Sequence, residues 1–397
     1  MADAVALVER ARRREEDGDD EGAIVDFERA VGAAQESGET STEITARAGL
    51  VRVQFAVGNA VEVDVQLERI EEIMSPIVAQ TARAEALCER GLVLTERGED
   101  ARRLFEQALD LTADEPDQQA RRVEVKALMY RAHGERLRGN YSGARTTLDR
   151  ALLIAGTTLG NESQEAAEVL NAQGVLAKFS GEFDASAEAY ARAGRIIETR
   201  HGPSHPDMAA IYHNLAGLAH ARGDPEAAEP LARRSVEIRE GTSGRRHLAA
   251  ILDRAGLAAI LSDLGRDDEA TELLEGVLRD LAATVGEEHR EYAVTLNNLA
   301  ALDQRRGDLA AAEERYRRAL AIKERTQGLE APALATTLVN LGTVLRRSGR
   351  TDEAGAAFEH AVRLLEGVVA RDHPTLSAAR RNLGRLAGVD GDPDRTV

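Results

Sequence analysis

Four histidines could tempt a metal assignment: His205, His247 and His289 stand 42 residues apart, and His373 lies two such steps further on. An imidazole nitrogen binds zinc well, but every ligand of one ion lies ~2 Å from it, whereas helices in contact sit ~8–10 Å apart. Side chains one step apart do not converge on one ion unless they point together. His205-Pro206 and His373-Pro374 read instead as helix starts with proline at the first helical position. No metal is expected from them. A second signal lies in DGDDEGAIVDFE. Asp17, Asp19, Glu21, Gly22 and Glu28 fall at positions 1, 3, 5, 6 and 12 of a calcium loop, with Ile24 at the aliphatic position. Against calcium, Glu at position 5 is unusual, there is no second loop to pair with it, and a repeat register places residues 20 to 30 in a helix. The two readings exclude each other.

Hydrolase and nucleotide-binding signatures are missing: no Gly-x-x-x-x-Gly-Lys-Ser/Thr, Gly-x-Ser-x-Gly or His-Glu-x-x-His occurs. The single cysteine, Cys88, has no convincing histidine partner and cannot form an internal disulfide. Neither enzymatic activity nor a cofactor is expected. The chemistry that does repeat is hydrogen bonding by amides. Asn214, Asn298, Asn340 and Asn382 occupy one register, and Asn171 and Asn297 sit one position earlier in their units. An amide both donates and accepts, so a row of them can pair with a peptide main chain or with the neighbouring unit. A second row holds Lys178, His220, Gln304 and Arg346, joined by Arg305 and Arg347.

These rows need elements to carry them, and the elements repeat. Glycines at 18, 58, 98, 139, 181, 223, 265, 307, 349 and 391 are separated by 40, 40, 41 and then 42 residues each time. Ala23, Ala144, Ala228, Ala270, Ala312 and Ala354 follow their glycines by five. Phe27, Tyr190, Tyr316 and Phe358 follow theirs by nine, and Phe105 by seven. A large side chain repeated in one register fills the gap between packed helices, so these aromatics are assigned to the core. In each unit, apolar residues three and four apart run to the glycine, as from Leu296 to Arg306 before Gly307. A second amphipathic helix follows, here through Tyr316, Ala319 and Ile322.

Leu341-Gly342-x-x-Leu345 and Ala354-x-x-x-Phe358 match the small and aromatic positions of a tetratricopeptide repeat. With a 42-residue period and units such as HREYAVTLNNLAALDQRRGDLAAAEERYRRALAIKER, the chain resembles the kinesin light chain type of that repeat. The match is strong from Ala166 to Leu386 and looser before residue 130. The resemblance implies an all-α, right-handed superhelical solenoid whose first helices line a concave groove that holds an extended partner peptide. It places the asparagine stripe in that groove. If the second row faces it too, the floor is mildly basic and suits a peptide with acidic residues.

The expected organisation is one continuous solenoid of nine helix pairs: degenerate acidic repeats over 1–130, regular repeats and a capping helix over 131–387, and a flexible tail over 388–397. The capping helix carries Leu376, Ala379, Leu383 and Leu386 on one face and Arg380, Arg381 and Arg385 elsewhere. Aromatics make up 3% of the chain and tryptophan is absent, which suits helices more than strands. A formal charge of −18 disfavours nucleic acid as a partner. The first 120 residues hold 28 acidic and 13 basic side chains, which invites a basic partner there. Neither a signal peptide nor an apolar run of membrane-spanning length is present, so a cytoplasmic protein interaction scaffold or adaptor is expected. A regulatory subunit for a separately encoded effector enzyme and a calcium-modulated array are the alternatives.

Overall fold

A computed structural model describes residues 3–115, 117–366 and 373–387. Among them the regular structure is entirely helical. Nine antiparallel pairs run in chain order: α1 (Ala4–Glu16) with α2 (Asp20–Ser37), α3 (Thr40–Ala56) with α4 (Ala60–Ile73), α5 (Gln80–Glu96) with α6 (Arg102–Thr112), α7 (Gln118–Leu137) with α8 (Tyr141–Ile154), α9 (Gln164–Phe179) with α10 (Phe183–His201), α11 (Pro206–Ala221) with α12 (Pro225–Thr242), α13 (Leu248–Asp263) with α14 (Asp267–Thr284), α15 (Arg290–Arg306) with α16 (Leu309–Gln327), and α17 (Ala335–Arg347) with α18 (Thr351–Leu365). A final helix, α19, spans Pro374–Leu386.

The turn inside each pair is set by its glycine. At Gly307, φ is 84°, a left-handed conformation that glycine adopts without the steric cost of a Cβ. Asp308 then caps α16 by accepting from the Ala311 N–H at 3.0 Å. The pair is packed by a small residue facing an aromatic one. A Cβ placed on Gly174 would stand 2.4 Å from the Tyr190 ring, and one on Gly342 would stand 2.7 Å from Phe358. Phe27, Phe105, Tyr190, Tyr316 and Phe358 are all buried, as the repeat register requires.

The chain divides into two compact units, residues 1–256 and 257–397. In the first, apolar clusters join successive pairs; Leu7, Val8 and Phe27 of α1–α2, for example, pack with Leu50 and Val53 of α3. In the second, Tyr316, Leu338, Leu345, Phe358 and Leu364 form one core that Leu376 and Ala379 of α19 complete. That helix therefore caps the stack as its apolar face predicted, with Arg380, Arg381 and Arg385 exposed.

Of the two exclusive readings of residues 17–28, the helix of the repeat register is the one that forms. The calcium loop does not form: α2 begins at Asp20, and Asp19 is its N-cap, accepting from Gly22 N–H at 2.9 Å. Helical geometry disperses Glu21 and Glu28 around α2, which leaves Asp17, Asp19, Glu21 and Glu28 as turn and surface carboxylates. The line drawn at 130/131 falls inside α7, so it marks a change in sequence regularity and not a structural boundary. The proposed tail at 388–397 and Gly391 lie outside the described residues.

Candidate peptide-binding site

Six first helices of the N-terminal unit wall a chamber of about 440 Å³, with side chains from α1, α3, α5, α7, α9 and α11. Its floor is a ladder of alternating charge built from Glu15, Arg52, Glu89, Lys126 and Glu168, spaced by 37, 37, 37 and 42 residues. Arg52 reaches Glu15 Oε2 at 2.6 Å and Glu89 Oε1 at 3.0 Å. Lys126 Nζ lies 2.9 Å from the same Glu89 oxygen, and Arg12 donates to Glu85 Oε2 at 2.9 Å. Burial alone would raise the Glu85 carboxyl; Arg12, Lys126 and Arg52 outweigh it and hold it below the ordinary range.

The far end of the ladder is only partly compensated: Glu168 accepts from Gln164 Nε2 at 3.3 Å. Lys126 turns toward Glu85 and Glu89, and Arg122 pairs with Glu165 at 3.0 Å. Glu168 meets water inside the chamber, yet the surrounding walls strip solvation from it. That desolvation, with Asp207 and Glu165 adding like charge, pushes its carboxyl up to about 7. Glu16 is also raised, first by burial.

Met129 and Tyr130 border this chamber and a second, more apolar pocket of about 280 Å³. Leu92, Leu148, Ala172, Val175 and Leu176 supply its apolar wall, and Asn171, His133, Arg136 and the carboxylate Glu96 are polar groups on its lining. His133 bonds Glu96 at 2.6 Å and accepts from Arg136 at 3.1 Å. Arg136 and Lys178 both lie over the exposed Phe179 ring, 4.7 and 5.7 Å from its centroid. Burial lowers the pKa of both, and Arg136 lowers that of Lys178 further. Among the described residues no carboxylate forms an ion pair with either. Lys178 extends toward α11, where a Cβ on Gly217 would stand 3.1 Å from its Nζ.

The predicted amides take several roles. Asn214 donates to Asn171 at 2.8 Å across neighbouring units, and Asn297 accepts from Thr337 at 3.2 Å, so these tie helices together. Asn382 bonds the Ala378 carbonyl of its own helix. Asn298 and Asn340 are half-buried and make no side-chain hydrogen bond among the described residues. In the second row, Arg305 pairs with Asp267 at 2.7 Å and Arg347 donates to the Gln304 carbonyl, so both serve as ties between units. His220 is half-buried and engaged. Arg346 is half-buried, with its Nε unpartnered. These candidates are thus divided between the two compact units. The histidines act as helix caps: His205, His247 and His289 accept from the N–H two residues ahead at 3.2–3.3 Å.

Arg136, Met129 and Tyr130 were the residues missed, although each continues a predicted row. Arg136 stands 42 residues before Lys178, Met129 stands 42 before Asn171, and Tyr130 stands 84 before Asn214. The register was visible; the change from amide to sulfur and aromatic hid it.

Stacked helix pairs with a small-facing-aromatic core and an inner face of polar and apolar recesses define a helical-repeat solenoid. The tetratricopeptide repeat family model matches residues 180–241, 248–325 and 333–395, just over half of the chain. The chain belongs to the tetratricopeptide repeat family. No curated protein matches it in sequence at a significant level. Among solved structures, Rap protein complexed with Competence and Sporulation Factor aligns over 96% of this chain and 99% of its own, at 13% identity and a TM-score of 0.65. NprR in complex with its cognate peptide NprX aligns over 76% and 82%, at 13% identity and a TM-score of 0.51. A putative kinesin light chain from Podosopora anserina is 26% identical over 48% of this chain and 90% of its own, with a TM-score of 0.40. The first two likenesses establish a shared fold. No described helix is long and apolar enough to cross a membrane.

Proposed function

We propose that this protein is a non-enzymatic scaffold or adaptor that captures a peptide segment of a partner against the inner helices of its N-terminal unit. An apolar or aromatic side chain of the peptide enters the pocket walled by Leu92, Leu148 and Val175, and an adjacent carboxylate meets Arg136 and Lys178. The observation that carries this reading is the pair of half-buried cations, Arg136 and Lys178, beside an apolar recess of ligand size, where the carboxylate near Arg136 is Glu96, itself bonded to His133. A desolvated cation is costly when its counter-charge falls short, and an acidic peptide relieves that cost at Lys178, whose neighbour Arg136 adds like charge. Asn171, held by Asn214, presents an oriented amide to the same pocket. A cytoplasmic, reducing setting goes with this reading, since the single cysteine, Cys88, has no second cysteine in the sequence with which to form a disulfide.

Binding of a short peptide with one aromatic residue between aspartates, measured by fluorescence anisotropy, tests it. Arg136→Ala with Lys178→Ala should weaken binding at least tenfold, about 1.4 kcal/mol. Replacing the aspartates by lysine should abolish it, and equal affinity for both peptides would sink the proposal. In the C-terminal unit, Asn298, Asn340 and Arg346 offer a second contact row. Unchanged affinity for a cognate partner in the Asn298→Ala, Asn340→Ala variant would remove those amides from the site. The second reading, a sensor arm for a separately encoded effector enzyme, is supported by the enclosed chamber, whose size suits a small ligand. Co-purification of an enzyme whose rate changes on binding would favour it.

A further inference from the structure

The turn between α1 and α2 touches helices that lie nearly two hundred residues later in the chain. His205 Nε2 donates to the Glu16 carbonyl at 2.7 Å across a separation of 189 residues, while its Nδ1 accepts from the Asp207 N–H. A single neutral tautomer of this nearly buried imidazole satisfies both contacts. His247 Nε2 stands 2.9 Å from Asp20 Oδ2. Between them, Gly18 sits at φ 78° so close to the first residue of α11 that a Cβ there would lie 2.5 Å from Pro206 Cγ. His289 caps its helix in the same way as His205 and His247. Unlike His289, His205 and His247 also close a seam against the α1–α2 turn.

Glu16 and Asp207, on opposite sides of that seam, both face the charged chamber. The chamber wall therefore continues across the seam, and the N-terminal unit forms a ring and not an open trough. An open trough accepts the face of a folded partner from the side. A closed ring with a chamber of about 440 Å³ accommodates only a few residues of extended chain. The seam is polar and small, whereas α1–α2 is held to α3 by a buried apolar cluster. Opening therefore breaks the seam first and leaves the helix pairs intact, with the displacement shared as small slides between successive pairs.

We propose that the α1–α2 turn is a clasp that closes the N-terminal unit around its ligand, and that the ligand is a short flexible peptide segment and not a folded surface. The occupant rests on the peptide-binding reading above; the closure does not.

A disulfide tests both parts separately. The Cβ position at Gly18 lies 3.4 Å from Pro206 Cβ, close to the ~3.5–4.5 Å span of disulfide bridges. The full chain carrying Gly18→Cys and Pro206→Cys should form an intramolecular cross-link in most molecules under mild oxidation, read by mass and non-reducing gel mobility. Two titratable thiols besides the buried native Cys88, in a chain of parental helicity, would overturn closure. Because a non-glycine residue at φ 78° is strained, spin labels at the exposed Asp19 and Ser204, with Gly18 and Pro206 retained, provide the second measurement. One short distance supports the clasp, and a long or broad distribution overturns it. The aromatic–aspartate peptide is then added before or after oxidation. Entry into the locked ring and escape from it should each slow at least tenfold, with reductant restoring both rates. Equal rates in locked and reduced protein overturn the gate. A cross-linked ring that binds no peptide in either state overturns the occupant and the preceding reading while closure stands.

Discussion

A carboxyl such as Glu168 shows how one residue reports its surroundings. Its folded-state pKa of about 7 exceeds that of an ordinary glutamate, so the folded protein holds this proton more tightly than the unfolded chain does. Its contribution is neutral in acid and turns unfavourable as pH rises from the ordinary glutamate range through about 7. Glu168→Gln removes that penalty. The variant should melt closest to the parental temperature below the ordinary glutamate range, at about pH 4, and increasingly above it toward about pH 8, by calorimetry in matched buffers. A gain in acid equal to that in base would show that the carboxylate charge is not the cause. At this scale the sequence was only partly readable. The Lys178 row pointed along the helix face that holds Arg136, but Arg305, on a neighbouring row, is consumed by Asp267. Register gives the face of a helix, and only the placement of neighbouring helices decides which charges remain unpaired.

The helix pair itself was far more legible, because its packing rule is written twice, once as a small residue and once as an aromatic one. Gly342 and Phe358 illustrate why both must be kept. With a Cβ only 2.7 Å from the ring, Gly342→Ala forces Phe358 out of its buried position. Overpacking of this kind costs about 1–3 kcal/mol, even though alanine is the better helix former. The expected outcome is a lower urea midpoint at unchanged slope, with partial recovery on adding Phe358→Leu. A variant more stable than the parent would mean that helix propensity outweighs the contact. Less legible were the short departures from α-helix, the π-helical turn at Ala155–Leu159 and the 3₁₀ turn at Pro332–Leu334, which the 42-residue period absorbs without changing its length. The calcium pattern gave way at this scale for a related reason: Asp19 serves α2 as its N-cap, and a helix that starts at Asp20 takes positions 4 to 12 of the pattern out of a loop.

For the whole molecule the question is what a stack does with its last apolar face. In the C-terminal unit, Leu338, Leu345, Leu364 and Leu365 are buried together with Leu376 and Ala379 of α19. Among the described residues, α19 is the helix that follows α17–α18 in this core. Stability in such an array is a sum of unit and interface contributions, so loss of the terminal contact need not unfold the inner pairs. Leu376→Asp puts a carboxylate where 1% of the side chain is now exposed, and burying it unpaired costs more than the docked helix returns. Undocking of α19 should follow, with the rest of the helix content retained in circular dichroism. The uncovered leucines then form a contiguous apolar patch of the kind that drives association. Light scattering coupled to gel filtration should show mass rising with concentration for Leu376→Asp, relative to the parent at the same loading. Arg380→Ala, on the exposed face of the same helix, should leave the mass where the parent has it. If both variants behave as the parent, the apolar face of α19 is not what keeps the end of the stack from pairing.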